Sequence, residues 1–341
     1  MLTGIRAMEI HEVPDPVLTG PDDVLLKMTV VGVCGSDIHY YTQGKIGSQV
    51  VSYPFPVGHE GAAIVVETGT RVTKVKKGDF VAIEPAMPCG ECDQCLSGRS
   101  NTCRKLLFLG CPGQAEGCLK DYIIMPESSC FPLTGSLVPD HGVISEPLAI
   151  GVYSVERSAG VHGKKIGILG FGPIGMSVML AAKVEGAKEI VVTDKIDRRL
   201  DIASDEGASV VCNILKNDAV KTVIEKVPEG LDIVFECCGQ QEAVDQAIEM
   251  LKPGGELMIV GIPEFDRWEL SVDKTRRKEI TVRFVRRQNE CTGKALDMMK
   301  SGKINISRMI THRFPFEKTT EAFDLVAGYS NGVMKAMIDF R

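Results

Sequence analysis

The chain has 341 residues, enough for two domains with a sizeable core. Hydrophobic residues make up 44% and charged residues 25%, the balance of a soluble globular protein, and the net charge of −6 includes no basic block that could follow a phosphate backbone, so nucleic acid is not expected as a partner. The opening MLTGIRAMEIHEVPDP has no apolar signal core, and the longest apolar stretch, around residues 167–182, is broken by glycines and Pro173, so no membrane span or secretory signal is expected.

In chain order, residues 22–33 (DDVLLKMTVVGV) form the first β-branched run, followed by short strands at 61–67, 80–84 and 121–125, punctuated by glycine and proline. This part reads as β-rich, without internal repeats. Between the first two strands lie Cys34, in VCGSDIHY, and His59-Glu60, after Gly58. A catalytic zinc needs about three protein ligands and an open position, which Cys34, His59 and Glu60 can supply. Their spacing alone fits a core cysteine, a loop histidine and a solvated acid equally well.

The next segment is more specific. Cys89, Cys92, Cys95 and Cys103 fall in one fifteen-residue stretch, CGECDQCLSGRSNTC. Four thiolates so placed close one tetrahedral zinc site. The iron–sulfur alternative is disfavoured, because the bacterial ferredoxin run ends C-x3-C-P, whereas here the last gap holds seven residues and Arg104 follows Cys103. There are twelve cysteines and no secretory signal, so thiols and metal ligands are expected rather than disulfides, in a reducing cytoplasm. Cys111, Cys118, Cys130, Cys212, Cys237, Cys238 and Cys291 show no ligand-like grouping.

The pattern changes near Pro139. Residues 140–159 are helical in character, with Pro147 suited to a first helical position and Glu146 to its N-cap. Strand and helix then alternate: strands at 165–169, 189–193, 210–212, 232–235, 256–260 and 280–284, and helices at 174–184, 198–206, 219–226 and 242–251. Such βαβ alternation predicts a doubly wound parallel sheet. Gly170, Gly172 and Gly175 form a G-x-G-x-x-G turn between the first strand and its helix, with Asp194 ending the second strand about 20 residues on. An acid there accepts bonds from a ribose 2′-hydroxyl and repels a 2′-phosphate, which favours NAD over NADP; Lys195, Arg198 and Arg199 soften that preference. The tail has a helix at 293–300, a strand at 310–313, a helix at 319–327 and a strand at 334–340, and is expected to return to the first domain. The expected boundaries are therefore 1–150 with 287–341, and 151–286.

Taken together, CGSDIHYYTQGKIG at 34–47, PVGHEGAAIVVETG at 56–69, the four-cysteine segment, SEPLAIGVYS at 145–154, GFGPIG at 170–175 and THRFPFEKTTEAF at 311–323 resemble the zinc-dependent medium-chain dehydrogenases, within them the sorbitol (polyol) dehydrogenase branch. The resemblance spans nearly the whole chain. It implies a Rossmann NAD-binding domain inserted into a β-rich GroES-like catalytic domain. It implies two zincs per subunit, one structural on the four cysteines and one catalytic on Cys34, His59 and Glu60, with Glu146 as a further acid binding the metal or its water. Asp37 resembles the carboxylate that orients the ligand histidine, and Ser36 and His39 the proton relay. Tyr40 and Arg286 resemble substrate contacts. Gly170, Gly172, Ile174, Gly175, Asp194 and Arg199 resemble NAD contacts, with the backbone of Val260, Gly261 and Ile262 under the nicotinamide and Arg286 also at the cofactor.

The implied reaction is oxidation of a secondary alcohol of a polyol or sugar to a ketone with NAD+, in a cytoplasmic homodimer or homotetramer. An L-threonine 3-dehydrogenase-like enzyme resembles the same metal set; Ser36 and the run His39-Tyr40-Tyr41 favour the polyol branch. A non-catalytic zinc-stabilised binding protein need not keep Cys34, Ser36, His39, His59 and Glu60 together. One position departs from the branch: Arg287 stands where a tyrosine is usual. A cleft-facing guanidinium there would favour an acidic or phosphorylated sugar, whereas a solvent-facing one would be a bystander.

Overall fold

The computed structural model describes residues 1–340. The chain divides into two compact units, Met1–Glu146 with Thr292–Arg341, and Pro147–Cys291. The divisions fall a few residues from the expected 150 and 286.

The first unit is built on a seven-stranded sheet. Cys130–Pro132, Phe80–Ile83, Glu60–Thr68, Asp23–Gly32, Lys335–Asp339 and Ile310–Pro315 lie side by side in that order, and Tyr122–Pro126 also pairs with Asp23–Gly32. The tail thus supplies two strands of the same sheet, with Lys335–Asp339 antiparallel to Asp23–Gly32. Asp23–Gly32 alternates half-buried and buried positions through Val30, then is buried throughout. The alternation marks a strand with one face on the core. Leu26, Met28, Val31, Val65, Ile83, Met125, Phe323 and Ile338 are among the residues of that core.

Between the first two long strands the chain forms a helix, Gly35–Gln43, that hydrophobic periodicity did not announce. Its ends hold it. The Asp37 carboxylate accepts a bond from the backbone N–H of Cys34 at 3.2 Å, as an acid at N3 does in a capping box. At the other end Gly44, at φ 68°, turns the chain out in the left-handed conformation.

The second unit is a six-stranded sheet, all parallel, in the order Val210–Asn213, Glu189–Asp194, Lys165–Leu169, Leu231–Glu236, Leu251–Ile259, Thr281–Phe284. Numbered along the unit, this is 3-2-1-4-5-6, the doubly wound order, whose direction reverses between the first and fourth strands. Glu189–Asp194 is buried at every position after its first, as a central strand covered on both faces must be.

One local reading is corrected. Pro147 does not begin a helix, and Glu146 is not an N-cap: a single helix runs Pro139–Arg157 with Pro147 inside it. Pro139 takes the opening position. The turns before Pro147 are held by burial of Val143, Ile144 and Ser145, which offsets the hydrogen bond that proline cannot donate.

Candidate active site and metal centres

Three donors meet in the first unit. Cys34 follows the strand Asp23–Gly32 and caps the start of the helix Gly35–Gln43, while His59 immediately precedes, and Glu60 opens, the strand Glu60–Thr68 beside it. The ligand atoms of Cys34, His59 and Glu60 all lie within 4.8 Å of one another. Asp37, fully buried, holds His59: its Oδ1 is 3.3 Å from Nδ1 and also accepts the Gly58 N–H at 3.3 Å. With Nδ1–H given to Asp37, Nε2 is left as a donor to a metal. The Ser36 hydroxyl stands at the rim, 3.3 Å from Cys34 Sγ and 3.5 Å from His59 Nε2. The Phe108 ring covers His59, its centroid 5.5 Å away.

The electrostatics fit a cation. Burial works to lower His59, but Asp37 and Cys34 overcome it and hold the imidazole well above its ordinary value. Lys335, also buried, is likewise raised against the effect of burial by Glu60 and Cys34. Its Nζ bonds Glu60 Oε1 and Oε2 at 2.7 and 2.6 Å and the Val33 carbonyl at 3.2 Å. The donor set therefore draws positive charge toward itself, and thiolate, imidazole and carboxylate are what zinc takes.

Glu146 lies buried nearby, outside that three-residue group. Burial pushes its carboxyl up to about 7, with Glu60 and Glu84 adding and His59 subtracting. Its Oε2 has no hydrogen-bond partner among the described residues. A carboxyl with its folded value raised contributes most below its unfolded value of 4.5 and loses that contribution as pH rises through about 7. In zinc-depleted protein, Glu146→Gln is therefore expected to gain stability relative to the parent chain between about pH 5 and 8. Parallel thermal melts across that window check it; a constant difference would mean that Glu146 does not titrate there.

The four cysteines form a second group. Sγ separations are 3.6 Å for Cys92–Cys95, 3.9 Å for Cys92–Cys103 and 3.5 Å for Cys103–Cys89. A tetrahedron with Zn–S bonds of about 2.3 Å places sulfurs about 3.8 Å apart. One ion spans these distances, and a multi-iron cluster would need a wider cage. Backbone N–H groups of Arg104 and Cys95 lower the Cys92 thiol to about 6, toward the thiolate a metal requires.

In the second unit, Gly170 turns at φ 91°, and its N–H bonds the Thr193 carbonyl. A β-carbon on Gly175 would run into the Gly170 carbonyl, so only glycine lets this helix approach the strand. At Gly172 a β-carbon would meet no backbone, and the nearest atom is an Arg199 guanidinium nitrogen at 3.5 Å. That open side, at the N-terminus of the helix Pro173–Val184, can take a pyrophosphate. Asp194 is more engaged than its sequence position suggests. Its two oxygens accept the Phe171 and Ile196 N–H groups at 2.6 and 2.8 Å, and Arg199 lies 3.9 Å away.

Comparison with known proteins places the chain in a family. Residues 20–135 match the alcohol dehydrogenase GroES-like domain, and residues 173–301 match the zinc-binding dehydrogenase domain. The chain is 34% identical to a sorbitol dehydrogenase of Bacillus subtilis over 336 residues, 98% of this chain and 94% of that one. It is 33% identical to an L-idonate 5-dehydrogenase of Vitis vinifera, over 97% and 92% of the two chains. Among solved structures, an Escherichia coli oxidoreductase/dehydrogenase of unknown specificity superposes with a TM-score of 0.93 at 33% identity, covering 99% of this chain and 97% of that one.

The chain belongs to the zinc-dependent medium-chain dehydrogenases, in the sorbitol dehydrogenase branch.

This dehydrogenase has features that its sequence did not disclose. Lys335, the partner of Glu60, is one; a lysine at the head of the apolar strand KAMID was the available signal. Gln49 and Cys111 are others. The buried Tyr40 directs its hydroxyl to Gln49 Oε1 at 3.4 Å, and Gln49 Nε2 donates to Cys111 Sγ at 2.8 Å. His39 is half-buried, three residues beyond Ser36 on the same helix. Arg286 is exposed, and Arg287 is half-buried at φ 51°; both belong to the second unit. Val260 and Gly261 donate their N–H groups to the Glu236 carbonyl, and Ile262 is exposed.

Proposed function

We propose that this enzyme oxidises a secondary hydroxyl of a polyol or sugar derivative to a ketone with NAD+, with Cys34, His59 and Glu60 holding the catalytic zinc and the four-cysteine group a structural one. The observation that carries it is the meeting of thiolate, imidazole and carboxylate at one point with the Ser36 hydroxyl beside them. Bound zinc supplies Lewis-acid acidification of an alcohol, and bound NAD+ supplies the electron acceptor. The residues of the chain do the rest. Asp37 fixes the tautomer of His59 through Nδ1. Ser36 receives the departing proton, and His39, whose ordinary titration lies near neutrality, passes it to solvent. Glu146, raised toward neutrality by burial, stands by as a second acid. Tyr40 borders the substrate, with Gln49 and Cys111 fixing its hydroxyl.

Gly170, Gly172, Ile174, Gly175, Asp194 and Arg199 hold the dinucleotide. The buried Asp194 carboxylate supports NAD over NADP, because a 2′-phosphate would meet its charge. Self-association to a homodimer or homotetramer is supported by the edge strand Thr281–Phe284, whose Phe284 is 64% exposed. Five cysteines proposed as zinc-binding thiolates support a reducing, cytoplasmic setting; no helix among the described residues is long and apolar enough to cross a membrane.

A second reading, an acidic or phosphorylated sugar as substrate, is favoured by the adjacent Arg286 and Arg287 and by the relative named for L-idonate. NADH formation by zinc-loaded protein on neutral polyols, sugar acids, sugar phosphates and L-threonine tests both. Turnover of neutral polyols carries the first reading. Turnover confined to anionic sugars, with Arg287→Tyr lowering kcat/KM on them by about 10-fold or more, carries the second. Equal efficiency of that variant on neutral and anionic sugars would remove Arg287 from specificity, and turnover of L-threonine alone would replace the substrate class.

A further inference from the structure

Glu236 ends the fourth strand of the six-stranded sheet, beside Leu169 of the strand that leads into the glycine turn. Its side chain is fully buried. Oε1 accepts the backbone N–H groups of Cys238 at 2.8 Å and Gly239 at 2.6 Å. Its own carbonyl accepts those of Val260 and Gly261, each at 2.9 Å. Oε2 has no hydrogen-bond partner among the described residues and lies 2.7 Å from where a β-carbon on Gly261 would stand. Burial raises the Glu236 carboxyl, and the Cys238 side chain, followed by the backbone amides of Cys238, Gly239 and Gln240, pulls it back.

The two loops that this residue joins are packed without slack. A β-carbon on Gly239, at φ 69°, would run into the Ile262 carbonyl, and one on Gly261 into the Gly239 nitrogen. Cys238 in turn lies against the glycine turn, its β-carbon 2.7 Å from where one on Gly170 would be. A buried carboxylate with an unpartnered oxygen is costly and calls for an explanation. Here one residue joins the two loops, its carboxylate bonding the loop after the fourth strand and its backbone carbonyl the loop after the fifth, while Cys238 packs the first of these against the glycine turn.

A dinucleotide lies across the point where strand order reverses. Asp194 marks the adenosine side, on the second strand. Glu236 is on the other side of the first strand, where the nicotinamide half must fall. We propose that Glu236 is a positioning residue for the nicotinamide half of NAD, holding the loops 237–240 and 260–262 at the separation that half requires. The proposal rests on the reading that the glycine turn binds NAD.

Equilibrium binding of NAD+ and of ADP to zinc-loaded full-length protein tests it, since ADP lacks the nicotinamide half. Glu236→Ala is expected to weaken NAD+ by about 10-fold or more, the scale of a small misplacement, and to leave ADP within about twofold. Glu236→Gln keeps one oxygen for both amides and is expected to fall between, near threefold, losing only the charge on those bonds. If the alanine variant does not fold, the glutamine variant decides alone. Equal weakening of NAD+ and ADP would make Glu236 merely structural and overturn the proposal, as would no change in either. A parent chain that binds neither ligand would overturn the cofactor reading itself, and the proposal with it.

Discussion

Replacing Cys34 by serine is expected to leave one tightly held zinc per chain instead of two and to lower kcat by about 1,000-fold. Serine offers no thiolate, and His59 with Glu60 remain as a two-residue set, one of them already engaged by Lys335. Lewis-acid stabilisation is worth several kcal/mol, and each ~1.36 kcal/mol is a factor of ten in rate. Cys95→Ser is the matching control: it should lose the other zinc and lower the melting temperature, while folded molecules keep the first zinc. Metal analysis by atomic emission beside steady-state rates reads both. A Cys34→Ser protein with two zincs, or with unimpaired turnover, would remove Cys34 from the catalytic set.

Lys335→Met is expected to destabilise zinc-depleted protein by about 3–5 kcal/mol, the usual cost of removing one member of a buried ion pair. Methionine fills the volume, but the buried Glu60 carboxyl loses the cation that bonds both its oxygens. Zinc bound to Glu60 offsets the carboxylate charge, so the loss should shrink in zinc-loaded protein. Urea unfolding of both proteins, with zinc and after chelation, measures the difference. An equal loss in the two states would mean that Glu60 does not engage the metal.

The second unit was the more legible part of the chain. The strand Lys165–Leu169 and the helix Ala219–Lys226 fall where β-branched and amphipathic runs between glycines place them, because central parallel strands must be apolar on both faces. Leu251–Ile259 starts five residues earlier than its apolar run, since Pro253 and Gly254 mask an extended segment that pairs with an irregular register. The helix Gly35–Gln43 was hidden because caps, not periodicity, stabilise it.

The same contrast runs through the site. The four cysteines are legible because thiol ligands are rare and these fall in one short stretch, whereas Cys34 and His59, far apart in sequence, are ambiguous by spacing and are reached only through the family resemblance. Glu60 was visible as a ligand type, but its partner Lys335 is 275 residues away, and the strand pairing that joins them leaves no local trace. Gln49 and Cys111 are linked only by a contact across 62 residues, and a lone glutamine and a lone cysteine carry no signal of their own. The helix expected over 140–159 is present, but the place of Pro147 in it was misread for a related reason: proline statistics favour a helix start, whereas packing of the preceding turn decided the outcome.

The measurement closest to the central claim is a zinc titration of metal-depleted protein, with NADH formation from a secondary-hydroxyl polyol recorded at each point. The four-cysteine group should fill first, and the rate should rise only with the second equivalent of zinc and reach its plateau at two per chain. Full rate at one zinc per chain, or a protein silent on the polyol and sugar panel with both zincs bound, would contradict it.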